Sequence, residues 1–128
     1  MAEGFARFML PSEQSMVASA GVRADGLNSL AVQVMKEIGV DISNQKSQTL
    51  QSVDLNEFNL IVTVCDNAKR TCPFVQNKNK IHKNIIDPVL SSGTIEQQLA
   101  VYRKVRNEIK LMVSEIIIKY DDICREQN

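Results

Sequence analysis

The chain has 128 residues, enough for one domain whose core buries roughly two thirds of the surface of the unfolded chain. Its 15 Lys and Arg balance 15 Asp and Glu, so no net charge directs the whole molecule to nucleic acid or to an anionic membrane. No apolar run reaches the length of about eighteen residues that a membrane span needs, and no signal-like segment is seen. We therefore predict a single domain over residues 1–128 in the cytoplasm.

The first part of the chain predicts a helix followed by a strand. Apolar residues recur at helical spacing until Pro11 stops the pattern; they are Phe5, Ala6 and Met9. Residues 15–21, SMVASAG, are small and apolar and end on a glycine, which is typical of a strand that leads into a loop.

A second helix is predicted between two capping residues, Asn28 at its start and Gly39 just after its end. Its apolar stripe consists of Leu30, Val34 and Ile38, with Val32 and Met35 beside it. Residues 59–65, NLIVTVC, form a β-branched run that predicts a strand buried on both faces of a parallel sheet.

The last part of the chain predicts an edge strand and a long helix. Residues 79–86, NKIHKNII, alternate as an edge strand would, and an amphipathic helix runs from Thr94 to about Cys124. Its apolar face holds Leu99, Tyr102, Val105, Ile109, Met112, Val113, Ile116, Ile117 and Tyr120, while its charges, among them Arg103, Lys104 and Arg106, are predicted outside that face. Alternating strands and helices indicate an α/β sandwich with a parallel sheet.

The cysteines are the main chemical question. Three cysteines in a chain that is not exported argue against a structural disulfide framework. Cys65 and Cys72 are separated by six residues, with His82 ten residues on, and this spacing does not suit zinc. Two interpretations of Cys65 and Cys72 remain open: they are inert buried thiols, or they form a reactive pair.

Two arguments bear on reactivity at this place. A helical segment between Cys65 and Cys72 would set their Cα atoms about 10 Å apart, beyond the ~7 Å limit of a disulfide, so any bridge would be transient. Asp87 precedes a proline after the next strand and can reach the same sheet edge, where a carboxyl could act as a general acid. An Asp-Pro pair is also a common turn.

Six stretches in this order resemble the thioredoxin-coupled arsenate reductases, which share the fold of the low-molecular-weight tyrosine phosphatases. They are MAEGFAR, ASAG, AVQVMKEIGVDIS, VTVCDNAKRTCP, IIDP and YRKVRNEI, and only an extension over about residues 120–128 is unmatched. The resemblance implies a three-layer sandwich and a cysteine relay that reduces arsenate. In that relay Cys65 displaces arsenite, Cys72 resolves the disulfide that forms, thioredoxin reduces the final bridge, and Asp87 is the general acid.

The resemblance also implies a potassium site in some members, at Glu3 and Ser19. Gln48 stands where those members carry Asp, which argues against potassium in this chain. The family has no other cofactor, and its substrate is an oxyanion, arsenate or phosphate.

One feature of the family is missing from these residues. Its nucleophile lies in a C-x5-R phosphate loop, and no cysteine here is followed by arginine at that spacing. We therefore expect the chain as written to be inactive. An incomplete reductase, a dead fragment acting as a binding module, and a relative that is mainly a phosphatase are the alternatives. The family's first, central strand is absent too. We therefore expect one of three outcomes: the strands on either side of it pair directly, another chain such as a second copy fills the gap, or the protein is only partly folded.

Overall fold

The computed structural model describes residues 1–10, 16–20, 28–46, 48–64, 79–86 and 88–119. Its regular elements are the helices α1 (Ala2–Met9), α2 (Ser29–Lys36) and α3 (Ile95–Lys119), and the strands β1 (Leu60–Thr63) and β2 (Asn79–His82). Short 3-10 helices occupy Leu50–Ser52, Leu55–Glu57 and Pro88–Leu90. Cys65, Cys72, Asp87 and residues 120–128 lie outside the described residues.

Helix α1 confirms the helix predicted around Phe5, and it ends at Met9, two residues before Pro11. Its buried residues are Glu3, Gly4 and Phe5. Gly4 allows an unusually close approach, because a Cβ atom there would lie 2.5 Å from Cγ2 of Ile42. Helix α1 therefore packs directly on the loop that follows α2.

Helix α2 begins and ends at the predicted caps. Asn28 Oδ1 accepts hydrogen bonds from the backbone N–H groups of residues 30 and 31, at 2.9 and 3.2 Å. Gly39 has φ 82°, and the amide of Val40 donates to the carbonyl of Met35 in a Schellman turn. Ile38 is 36% exposed, so its predicted place on the buried stripe is wrong: the helix ends at Lys36, and the turn carries Ile38 outward.

Helix α3 starts with a reciprocal capping pair, in which Thr94 Oγ1 accepts from the Gln97 amide and Gln97 Oε1 accepts from the Thr94 amide. The predicted apolar face is confirmed for its buried members Leu99, Tyr102, Val105, Ile109, Met112, Val113 and Ile116. Arg106 was predicted outside this face, but only 8% of it is exposed. Its guanidinium is buried because the backbone of α2 offers it an acceptor, the Val34 carbonyl.

The two strands form a parallel pair in which Leu60 aligns with Asn79 and Thr63 with His82. The edge strand predicted over residues 79–86 is thus confirmed for β2. The prediction that β1 is buried on both faces is confirmed in part: Ile61 is buried on one face, while Leu60 and Val62 on the other face are half-buried. Within the described part of the chain no strand pairs with the other edge of β1.

Residues 16–20 do not join the sheet, so the strand predicted over SMVASAG is not formed in the described residues. An apolar groove of about 290 Å³ is lined by this segment, by β1 and by helices α1 and α3. The direct pairing of the two segments that the sequence allowed is therefore not what the structure shows.

The main core joins all three helices to the sheet. Its buried members are Phe5, Met35, Val40, Ile42, Val105, Ile109, Met112, Val113 and Ile116. Alternate residues of the β1 segment, Leu60, Val62 and Val64, pack against it from one face of the sheet. The result is an α/β fold with a short parallel sheet, as the sequence predicts.

Candidate functional site

The first candidate site is the edge of the sheet at which both strands end. The pairing continues beyond β2, because the Lys83 amide donates to the Thr63 carbonyl at 2.8 Å and the Ile85 amide to the Val64 carbonyl at 3.1 Å. In open α/β sheets the carboxyl ends of parallel strands form the ligand-binding edge. The segments that leave β1 and β2 are held side by side at this edge.

A chain of side-chain hydrogen bonds crosses the same edge. The hydroxyl oxygen of Thr63 lies 2.6 Å from Nδ1 of His82, and Nε2 of His82 lies 2.8 Å from Oδ1 of Asn84. Which ring nitrogen of His82 donates at each of these two contacts depends on the tautomer of the ring.

The predicted catalytic residues flank this hydrogen-bonded edge along the chain. Cys65 directly follows Val64, and Asp87 stands between Ile86 and Pro88. Cys65, Cys72 and Asp87 all lie outside the described residues, so their mutual geometry stays a prediction. The described backbone brings together the two segments that lead to Cys65 and Asp87.

The second candidate site is the cluster around Glu3, which joins α1 to residues 16–20. Glu3 is 7% exposed, and Arg7 one turn along α1 donates from Nε to Glu3 Oε2 at 2.7 Å. Ser19 Oγ donates to Glu3 Oε1 at 2.5 Å. The structure therefore brings Glu3 and Ser19 into direct contact.

Gln48 also reaches this cluster. Its Nε2 donates to the backbone carbonyl of Ser19 at 2.9 Å, while Nη2 of Arg7 donates to the carbonyl of Val17 at 2.5 Å. The acceptor oxygens that a cation would use thus face nitrogen donors. Among the described residues no three His, Cys, Asp or Glu side chains converge on a point where a metal ion could sit.

Sequence reasoning did not identify Arg7, Thr63 or His82 as parts of these sites. A signal existed for Arg7, because Glu3 and Arg7 have the i, i+4 spacing of a helical ion pair. Thr63 and His82 become neighbours only through the register of the sheet, which cannot be deduced from the sequence.

No helix within the described ranges is long and apolar enough to cross a membrane.

Comparison with known proteins gives a consistent result. The family model described as low molecular weight phosphotyrosine protein phosphatase matches residues 1–126. An arsenate reductase of Halalkalibacterium halodurans is 44% identical over 110 residues, which cover 85% of this chain and 78% of the relative. An arsenate reductase of Bacillus subtilis gives the same identity and coverage.

Solved structures with the same fold are also described as arsenate reductases. One, in an oxidized state, superposes with a TM-score of 0.78 and 27% identity, covering 92% of this chain and 86% of the other. Another, in a phosphate binding state, has a TM-score of 0.70 and 26% identity over the same shares of both chains.

Proposed function

The chain belongs to the low molecular weight phosphotyrosine protein phosphatase family, and from that premise we propose that it carries the thiol-relay part of an arsenate reductase. The observation that carries the proposal is the 44% identity to arsenate reductases over 110 residues. The relatives favour reduction of arsenate over phosphate-ester hydrolysis. The paired ends of β1 and β2 support it, because they bring the segments before Cys65 and Asp87 to one edge.

The chemistry begins with a thiolate that these 128 residues do not supply in a C-x5-R loop. That thiolate attacks arsenic(V), a sulfur–arsenic bond forms, and one oxygen leaves as water with a proton from Asp87. The thiolate of Cys65 then attacks the first sulfur. A disulfide forms, the sulfur–arsenic bond breaks, and its electron pair stays on arsenic, which leaves as arsenite.

Cys72 completes the relay. Its thiolate attacks the sulfur of Cys65, forms a Cys65–Cys72 disulfide and releases the first thiolate unchanged. A dithiol protein of the thioredoxin type then reduces this disulfide and becomes oxidised itself. The sum is arsenate plus a dithiol giving arsenite, a disulfide and water. We place the reaction in the cytoplasm, where thiols are kept reduced.

A second part of the proposal concerns assembly. An apolar groove runs along the edge of β1 at which no described strand pairs, and unpaired strand edges promote pairing between molecules. We propose that a second copy of the chain covers this groove.

The relay is tested on the chain as written by mild oxidation and peptide mapping. One intramolecular disulfide between Cys65 and Cys72 is expected, with Cys124 free, and thioredoxin with its reductase and NADPH should reduce it at one NADPH per chain. Cys124→Ser is the matched control and should behave as the wild type does. A bridge to Cys124, or no bridge at all, would contradict the assigned roles.

The arsenate step needs a separate experiment. The 128-residue protein should show no thioredoxin-coupled arsenate turnover above a Cys65→Ser control, because the first nucleophile is missing. A chimera that places before Met1 the residues preceding the matching region in the Bacillus subtilis arsenate reductase should gain turnover. Phosphatase activity without arsenate reduction in this chimera would favour the phosphatase reading.

A further inference from the structure

The Glu3 cluster raises a question of charge that is independent of the proposed reaction. Among the described residues, Glu3 and Arg106 are the charged residues that are buried. A buried carboxylate is costly unless an opposite charge and hydrogen bonds compensate it. The source of that compensation decides whether the cluster needs an ion from solution.

Protein groups compensate the buried charge of Glu3. The guanidinium of Arg7 provides the positive charge at 2.7 Å from Oε2 of Glu3, and the hydroxyl of Ser19 occupies the other carboxylate oxygen. No buried side-chain nitrogen or oxygen in the described residues lacks a hydrogen-bond partner. Each oxygen of the Glu3 carboxylate therefore already has a protein donor.

The backbone carbonyls of Val17 and Ser19 also accept hydrogen bonds from protein side chains. Carbonyl oxygens are the ligands that potassium prefers, and two lie beside the cluster. One of them, on Val17, accepts from Arg7, and the other, on Ser19, accepts from the Gln48 amide. A cation at this place would displace the amide hydrogens and stand next to the guanidinium, so electrostatic repulsion opposes its binding.

We propose that Arg7 and Gln48 replace a monovalent cation in this chain and hold α1, residues 16–20 and residue 48 together without any ion. The side chain at position 48 decides between the two states. A carboxylate there would remove the amide donor, add a second negative charge next to Glu3 and leave the Ser19 carbonyl open. The variant Gln48→Asp should therefore acquire a potassium site.

The test is thermal unfolding of the 128-residue protein, followed by circular dichroism at fixed ionic strength in potassium chloride or choline chloride. The wild type should unfold at the same temperature in both salts. Gln48→Asp should unfold at a lower temperature in choline, and potassium should raise it saturably by about 4 °C or more. Gln33→Asp adds the same charge at an exposed position of α2, away from the cluster, and should show no potassium effect.

A second variant keeps the proposal open to refutation if Gln48→Asp does not fold. Arg7→Gln removes the internal positive charge and keeps a hydrogen-bond donor, so potassium should then stabilise the protein. Saturable stabilisation of the wild type by potassium would overturn the proposal. So would a folded Gln48→Asp or Arg7→Gln variant that responds equally to both salts.

Discussion

Arg106 shows how a single charged residue ties α3 to α2. Its Nη1 donates to the Val34 carbonyl and to Glu37 Oε1, both at 2.9 Å. Val34 is fully buried, so its carbonyl has no access to water if this donor is lost. The guanidinium therefore satisfies a backbone group as well as forming an ion pair.

We predict that Arg106→Met destabilises the protein by about 1–3 kcal/mol, the cost of a buried acceptor left without a partner. Urea-induced unfolding measures the change. Arg103→Met is the matched control, because Arg103 binds the same Glu37 but its side chain is 43% exposed, and its effect should be smaller. Equal losses in the two variants would contradict the role given to the Val34 carbonyl.

The sequence could not place Arg106 correctly. Helical periodicity identifies the apolar face from residue type, and a charged residue is then assigned to solvent. What buries Arg106 is an acceptor on another helix, 72 residues away in the chain. The same limit applies to Glu3, which is buried because Arg7 and Ser19 provide its partners.

At the scale of elements, the contact between α2 and α3 has an electrostatic part that depends on pH. Arg103 donates from Nε and Nη2 to the Glu37 carboxylate, the shorter contact being 2.7 Å. Hydrogen bonding from Arg103 is the largest cause that lowers the pKa of Glu37 below its ordinary value of 4.5, and the hydrogen bond from Arg106 lowers it further. A lowered folded-state pKa gives stability that is present above pH 4.5 and is lost as pH falls through the folded pKa.

Glu37→Gln should therefore lower the unfolding temperature at pH 7, and the difference from the wild type should shrink as the pH falls from 4.5 through the lowered folded-state pKa of Glu37. Thermal unfolding measured from pH 7 to pH 3 checks the trend. Glu108→Gln, on the exposed side of α3, is the control and should leave the profile unchanged. A deficit of unchanged size over the whole pH range in which the protein stays folded would show that the carboxylate charge is not the cause.

Elements with local signals were predictable, and those that depend on a partner were not. Asn28 and Gly39 bound α2 because capping needs only the groups of nearby backbone. The Thr94 and Gln97 pair follows a known capping pattern and could have been recognised as well. Residues 16–20 had the composition of a strand, but a strand exists only if a neighbour accepts its hydrogen bonds.

For the whole molecule, the open groove predicts self-association. Sedimentation velocity should give a mass that rises from monomer toward dimer with concentration, because burial of apolar surface favours pairing. Met16→Glu puts a charge in the groove and should weaken association, since Met16 lines it and is 46% exposed. Leu111→Glu, on the outer face of α3, should not. A monomer over the whole concentration range would contradict the proposed assembly.

The groove edge of β1, along which no described strand pairs, also has a kinetic consequence. Successive residues of a parallel strand direct their amides alternately to its two sides, so half of the β1 amides face β2 and half face the groove. Hydrogen–deuterium exchange should therefore divide one four-residue strand into slow and fast amides in alternation. A chain that pairs along the groove would slow the exchange of the groove-facing amides and leave the exchange of the other amides unchanged. The exchange rates of the individual β1 amides would therefore show whether the groove is occupied.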